Sequence, residues 1–189
     1  FIATMLNWAN PLLPIHILWV NLVTDSLPAL ALGVDPAAPD IMARQATRSG
    51  KGIFTHGMVW RIIYQGIMVG ALTLAAFVIG QKVDLPTAQT MAFAVLALCQ
   101  LFHVFNVRSS RQSVFRGGFT GNKAVWGAFL LSTLLTLGVM LLPFLSQIFR
   151  LVTLSLEHFL IVIGLSIAPI LIVEIFKLFG LNTFPEENV

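Results

Sequence analysis

Long apolar segments alternate with short polar ones along most of this chain. Five of the apolar segments are 19 to 25 residues long, and a helix of about 20 residues crosses a hydrocarbon layer of about 30 Å. Because backbone polar groups in lipid must be satisfied within their own segment, each segment is predicted to be a helix. The predicted spans are residues 15–33, 62–80, 88–106, 124–146 and 155–179.

The stretch before the first span is too short to cross a membrane by itself. Residues 1–9 are apolar and run into Asn10-Pro11-Leu12-Leu13-Pro14, a composition typical of a turn. We therefore predict an all-α membrane protein, a polytopic helical bundle of about five full transmembrane helices with the end of a sixth at its N-terminus. Because no basic segment with a cleavage site opens the chain, we expect Phe1 to be a truncation point within a longer protein.

Composition and charge indicate lipid as the main solvent and fix an orientation. The chain is 57% hydrophobic and 10% charged, with a mean hydropathy of +0.89. Of its 11 basic residues, 9 flank two loops and the last helix end, which the positive-inside rule places in the cytosol. Anionic lipid headgroups are a sufficient partner for them, and the loops lack the interleaved aromatic residues of nucleic-acid binding. These nine are Arg44, Arg48, Lys51, Arg61, Arg108, Arg111, Arg116, Lys123 and Lys177.

Asp25 lies near the middle of the first full span, ten residues after Ile15 and eight before Gly33. An acid at the bilayer centre costs about 2.5 to 3.5 kcal/mol on insertion scales, so it must face protein, water or an ion. One interpretation is a neutral aspartate that is hydrogen-bonded inside the bundle. The interpretation that we favour is an ion site.

The neighbours of Asp25 offer further oxygen ligands. Asn21 lies four residues earlier and shares a helical face with Asp25, and Thr24 directly precedes it. Pro28 cannot donate to the carbonyl of Thr24, so backbone oxygens near Thr24 and Asp25 are expected to become available. Amide, hydroxyl and carboxylate oxygens suit Ca²⁺ or another hard cation. On the residues alone, Mn²⁺, Na⁺ and H⁺ remain open.

Gln100 is the best further candidate ligand within the chain. Ca²⁺ takes about 6 to 8 oxygens, more than the first span supplies. Gln100 lies centrally in residues 88–106, where its amide oxygen is able to point inward. The alternative is an interhelical hydrogen bond of about 0.6 kcal/mol. His103 and Asn106 lie on the same face but nearer the cytosolic end, where packing or contact with water is predicted.

The remaining polar residues of the spans have local explanations. His16 lies at a span edge and is predicted to be interfacial. Cys99 excludes an internal disulfide and is predicted to pack as a small apolar residue. Glu174 and Lys177, three residues apart near the end of the last span, are predicted to form an ion pair.

Several segments resemble a known family. The sequence Leu18-Trp19-Val20-Asn21-Leu22-Val23-Thr24-Asp25-Ser26-Leu27-Pro28-Ala29 closely resembles the sixth transmembrane helix of type II calcium-transporting P-type ATPases. Asp40-Ile41-Met42-Ala43-Arg44 is similar to their next cytosolic loop, and Gln100-Leu101-Phe102 to their eighth helix. The resemblance covers essentially the whole chain, from late in the fifth helix to the tail after the tenth.

The resemblance implies a set of ligands. Asn21, Thr24 and Asp25 match cation ligands of these pumps, with Asp25 bridging both sites in the members that have two. Sarcoplasmic-reticulum-type pumps have a glutamate in the eighth helix where this chain has Gln100, as plasma-membrane-type pumps do. This difference favours one transported Ca²⁺ per cycle.

The resemblance also implies an organisation. Residues 1–14 would be the end of the fifth helix and an outer turn, 15–33 the ion-binding sixth helix and 34–57 a cytosolic loop. Residues 58–182 would form the anchoring bundle of the seventh to tenth helices, and 183–189 a cytosolic tail. The phosphorylation, actuator and nucleotide-binding motifs of the family are absent, so ATP and Mg²⁺ would act only in the missing N-terminal part, which also holds helices one to five.

The function implied is the membrane part of an ATP-driven pump that exports Ca²⁺ across the plasma membrane, with proton counter-transport through Asp25. Two other classes remain open. A secondary transporter or channel also uses intramembrane acids, and a non-catalytic membrane scaffold would need none of this chemistry. The sequence before Phe1 would discriminate among the three.

Overall fold

The computed structural model describes residues 2–34, 56–108 and 122–178, and their regular secondary structure is helical. Within these ranges five helices are long and apolar enough to cross a membrane, which confirms the predicted fold class. The predicted tail 183–189 and most of the two predicted cytosolic loops lie outside the described residues. In order, the elements are α1 (Ile2–Met5), α2 (Pro14–Trp19), a π-helical segment (Val20–Asp25), α3 (Ser26–Gly33), α4 (His56–Gly80), α5 (Leu85–Arg108), α6 (Lys123–Leu141), α7 (Pro143–Ile148) and α8 (Leu156–Leu178).

Helix α5 is the centre of the bundle. Of its span, 72% is buried, against 17–33% in the other four candidate spans. It packs against α4, α8, the π-helical segment and α6. Met91, Phe93, Val95 and Leu101 are fully buried in the main hydrophobic cluster. The outer helices expose large apolar side chains, as expected where lipid is the solvent.

The fourth span is shorter than predicted. The apolar run extends to residue 146, but α6 ends at Leu141 and α7 begins at Pro143. Leu142 between them is extended, with φ −82° and ψ 118°. A residue that precedes proline is disfavoured in the α conformation, and proline starts a new helix readily because its missing N–H is not needed there. Hydrophobicity alone does not register this break.

Helix α8 runs through Pro169 without ending, and α5 contributes polar groups beside that residue. Pro169 has no N–H for the carbonyl of Leu165, and the thiol of Cys99 donates to that carbonyl at 3.6 Å. Asn106 donates from Nδ2 to the carbonyl of Pro169 at 3.1 Å. The predicted packing roles of Cys99 and Asn106 are confirmed, and both residues also bond to the backbone around a proline.

The turn between α4 and α5 brings the two backbones together at Gly80. A Cβ built on Gly80 would lie 2.5 Å from Cα and 2.8 Å from N of Ala88. We expect Gly80→Ala to destabilise the protein by about 1 to 3 kcal/mol, because backbone atoms cannot move aside as a flexible side chain does. The measurement is the thermal unfolding temperature of the detergent-solubilised protein.

The matched control is Gly66→Ala in the same helix. A Cβ on Gly66 meets nothing within 4 Å among the described atoms, and alanine favours helix over glycine by about 1 kcal/mol. This variant should therefore unfold at or slightly above the temperature of the parent protein. Equal unfolding temperatures for the Gly80 and Gly66 variants would show that the close approach at Gly80 is unimportant.

Candidate intramembrane cation site

The first full span changes helical geometry at its centre. The π-helical segment Val20–Asp25 joins α2 to α3, so Asp25 lies at the last residue of a widened turn. π-helical turns are rare and occur frequently at functional sites. Pro28, buried one turn later, cannot donate to the carbonyl of Thr24, which interrupts the normal ladder of the helix at this point.

Hydroxyl groups accompany the backbone carbonyls of this widened turn. Thr24 Oγ1 donates to the carbonyl of Val20 at 2.9 Å, and Ser26 Oγ donates to the carbonyl of Asn21 at 2.7 Å. The sequence predicted free carbonyls near Thr24 and Asp25. The hydrogen bonds that the Thr24 and Ser26 hydroxyls donate to carbonyls of the π-helical segment were not predicted.

Asn21 and Asp25 lie exposed on the surface of the described bundle. Their neighbours Leu18 and Leu22 are each 64% exposed, so this face is not covered by the other described helices. A carboxylate at this depth cannot face hydrocarbon without a large cost. The face that carries Asn21 and Asp25 therefore needs further protein, water or a cation against it.

Thr24 faces the interior of the bundle. Its side chain is 2% exposed, whereas Asn21 and Asp25 next to it are exposed. The hydroxyl donates its single proton to the carbonyl of Val20 and keeps two lone pairs on its oxygen. The Thr24 oxygen is therefore able to coordinate a cation at the inner side of the turn without losing that hydrogen bond.

Gln100 carries a buried acceptor on the helix that packs against this segment. Helix α5 contacts the π-helical segment directly. Gln100 Oε1 is buried and has no hydrogen-bond donor among the described residues. A buried acceptor without a donor requires a physical explanation. A hydrogen-bond donor or a cation at Oε1 would satisfy it.

The described residues contain no group of three or more His, Cys, Asp and Glu side chains that could hold a metal ion. The four candidate ligands are instead two amides, a hydroxyl and one carboxylate, which are all hard oxygen donors. The predicted ion pair between Glu174 and Lys177 near the end of α8 is confirmed, since Lys177 Nζ lies 2.7 Å from Glu174 Oε1.

His16 holds the N-terminal end of this span, and the prediction that it is interfacial was wrong. The ring is fully buried and lies 4.8 Å from the ring of Phe93. The backbone N–H of Leu13 donates to Nδ1 at 3.3 Å, so Nε2 carries the proton and donates to the carbonyl of Phe149 at 2.8 Å. The partner lies 133 residues away, and no local pattern indicates it.

Helix α6 runs alongside the same span and bonds to it at three levels. Trp19 Nε1 donates to Thr136 Oγ1 at 3.4 Å toward the N-terminal end of the span. Ser132 Oγ donates to the carbonyl of Val23 at 2.9 Å in the π-helical segment. Asn122, the N-cap residue of α6, donates from Nδ2 to the carbonyl of Ala31 at 3.2 Å near the other end. None of the α6 residues was singled out by sequence, because each partner is about a hundred residues away.

Comparison with known proteins identifies the family of this chain. The family model described as cation transporting ATPase, C-terminus, matches residues 9–179. The chain belongs to this family. The resemblance to calcium-transporting ATPases is also confirmed by the relatives, which carry that name.

The relatives come from bacteria and animals. The chain is 42% identical over 94% of its length to calcium-transporting ATPase 1 of Bacillus cereus, of which it covers 22%. It is 42% identical over 88% of its length to the calcium-transporting ATPase of Bacillus subtilis, of which it covers 19%. It is 30% identical over 93% of its length to human calcium-transporting ATPase type 2C member 1, of which it covers 19%. The chain thus spans about a fifth of the length of these relatives.

Proposed function

We propose that this chain is the membrane part of an ATP-driven pump that moves Ca²⁺ out of the cytosol, and that it contributes part of the intramembrane cation site. The observation that carries the proposal is the uncovered face at mid-span with Asn21 and Asp25 on it. Membership of the cation-transporting ATPase family and the names of the relatives support the choice of ion.

The proposed ligands are Asn21, Thr24, Asp25 and Gln100. Asn21, Thr24 and Asp25 lie within the widened turn, which presents Asn21 and Asp25 outward and Thr24 inward. Gln100 would approach from α5 with its buried Oε1. With one carboxylate among the four, the set favours one Ca²⁺ per cycle, and Asp25 would take up a counter-transported proton once the ion has left.

The proposed partner is the rest of the same pump. Ca²⁺ needs about 6 to 8 oxygens, and the missing ligands would come from helices that cover the face of Asn21 and Asp25. The same N-terminal part would hold the domains that bind ATP and Mg²⁺. The predicted cytosolic loop 34–57 lies mostly outside the described residues.

The proposed orientation has the C-terminus in the cytosol of a cell whose plasma membrane holds the pump. It rests on the distribution of basic residues, of which 9 of 11 belong to the predicted cytosolic side. Gln100, the residue of plasma-membrane-type pumps at this position, supports the choice of membrane.

The test is transport by the full-length protein reconstituted in vesicles with ATP added outside. We expect Ca²⁺ uptake that requires ATP, together with loss of protons from the lumen reported by an enclosed pH dye. Uptake that is driven by an ion gradient without ATP would instead support a secondary transporter, and passive flux would support a channel. No flux under any of these conditions would support a scaffold and contradict the proposal.

A further inference from the structure

Ser132 connects the centre of the cation site to a different helix. Its side chain on α6 is fully buried, and its Oγ donates to the carbonyl of Val23 at 2.9 Å. The two residues are 109 positions apart in the chain. Val23 lies within the π-helical segment, between Asn21 and Asp25 and directly before Thr24.

The other hydrogen bonds that hydroxyls donate to this segment stay within one span. Thr24 and Ser26 donate to carbonyls of their own helix, so their bonds travel with the segment if it moves. The bond from Ser132 instead fixes the backbone at Val23 to a neighbouring span. π-helical turns occur frequently at functional sites, so a hydrogen bond that fixes this one from a neighbouring helix bears on the cation site.

We propose that Ser132 is a positioning residue for the cation site, which holds the π-helical turn in the arrangement that presents Asn21, Thr24 and Asp25 to the ion. The inference rests on the proposed function. Ser132 would act through the backbone of Val23 and would not touch the ion itself.

The proposal has a kinetic signature that a general loss of stability lacks. If the bond favours the binding-competent arrangement, its loss lowers the fraction of protein that is competent, and the apparent affinity falls by the same factor. Saturating Ca²⁺ restores the competent population. The half-maximal Ca²⁺ concentration should therefore rise while the maximum signal stays the same.

The experiment uses Ca²⁺-dependent phosphorylation of the full-length protein by ATP, measured over a range of Ca²⁺ concentrations. Ser132→Ala should raise the half-maximal Ca²⁺ concentration about three- to tenfold, the size expected for one interhelical hydrogen bond in a membrane bundle. Ser132→Thr keeps the hydroxyl and should restore the midpoint to within about twofold of the parent value. Ser132→Cys, with a weaker donor, should give an intermediate shift.

The matched control is Ser166→Ala on α8. Ser166 is as fully buried as Ser132, but its Oγ donates to the carbonyl of Val162 within its own helix, at 2.7 Å. Its loss should leave the midpoint unchanged. Equal shifts from Ser132→Ala and Ser166→Ala would overturn the proposal, and so would a lower maximum with an unmoved midpoint.

Asp25→Asn in the same assay separates this proposal from the proposed function. If Asp25→Asn abolishes the Ca²⁺ response and Ser132→Ala leaves the midpoint in place, only the role of Ser132 is wrong. If Asp25→Asn responds like the parent protein, the cation site itself is wrong and the role of Ser132 falls with it. If Ser132→Ala does not fold, the Cys and Thr variants decide, and identical midpoints for these two would overturn the proposal.

Discussion

Asp25→Asn in the full-length protein should reduce Ca²⁺-dependent phosphorylation by ATP to background, even at Ca²⁺ concentrations that saturate the parent protein. Asp25 is the one carboxylate among the four proposed ligands, and it lies at mid-span. An amide of the same size keeps a neutral oxygen but loses the negative charge. A divalent ion that has left water for a medium of low dielectric needs that charge to offset its desolvation. The measurement is the amount of phosphorylated protein against Ca²⁺ concentration.

The matched control is Asp84→Asn in the turn between α4 and α5. Asp84 lies outside the candidate spans, and its Oδ1 accepts from the backbone N–H of Thr87 at 2.7 Å. Hydrogen bonds from the side chain and the backbone of Thr87 hold the pKa of Asp84 below its usual value, so this carboxylate is charged at neutral pH. Asparagine retains an acceptor for the same cap, and this variant should phosphorylate normally. A normal Ca²⁺ response from Asp25→Asn would refute the ligand assignment.

Features that depend on neighbours in sequence could be predicted well. Apolar runs of sufficient length indicated the five spans, since lipid requires each backbone segment to satisfy its own polar groups. The ion pair between Glu174 and Lys177 follows from their spacing of three residues along one helix. The depth of Asp25 follows from counting residues from the ends of its span.

Features that depend on distant partners could not be predicted. A buried histidine and an interfacial one look alike in sequence, and His16 is buried because the carbonyl of Phe149 accepts its proton from 133 residues away. The same holds for Ser132, an ordinary hydroxyl in an apolar run until its contact with Val23 is known. The break at Leu142 was missed for another reason. Hydropathy counts apolar residues and does not register the extended backbone conformation of Leu142.

The candidate site contains features that the sequence predicted and features that it did not predict. Asn21, Thr24 and Asp25 were selected by residue type and spacing, and the four-residue spacing of Asn21 and Asp25 agrees with their shared exposure. The π-helical geometry has no evident signal in the sequence of this segment. Thr24 faces inward and the other two residues face outward, so the described helices do not bring these three side chains to one face of the turn.

The isolated chain should bind Ca²⁺ weakly. The candidate side chains supply about four oxygens, or five if Asp25 binds through both of its carboxylate oxygens, and a freed backbone carbonyl brings the set only to the lower end of the 6 to 8 that Ca²⁺ takes. Asn21 and Asp25 also lie on a face that the described helices leave uncovered. We therefore expect a dissociation constant of about 10⁻³ M or weaker, the range of sites with few charged ligands. The measurement is calorimetric titration of the chain in lipid nanodiscs.

The full-length protein in the same nanodiscs should bind Ca²⁺ at least about a hundredfold more tightly, because the proposed covering helices would complete the coordination shell and exclude lipid from Asp25. Asp25→Asn in the isolated chain should abolish even the weak binding, which shows that the residual heat comes from this site and not from headgroups. Micromolar binding by the isolated chain would mean that Asn21, Thr24, Asp25 and Gln100 already form a complete site. The uncovered face at mid-span would then serve to contact lipid or protein, and the proposed dependence on further helices would be wrong.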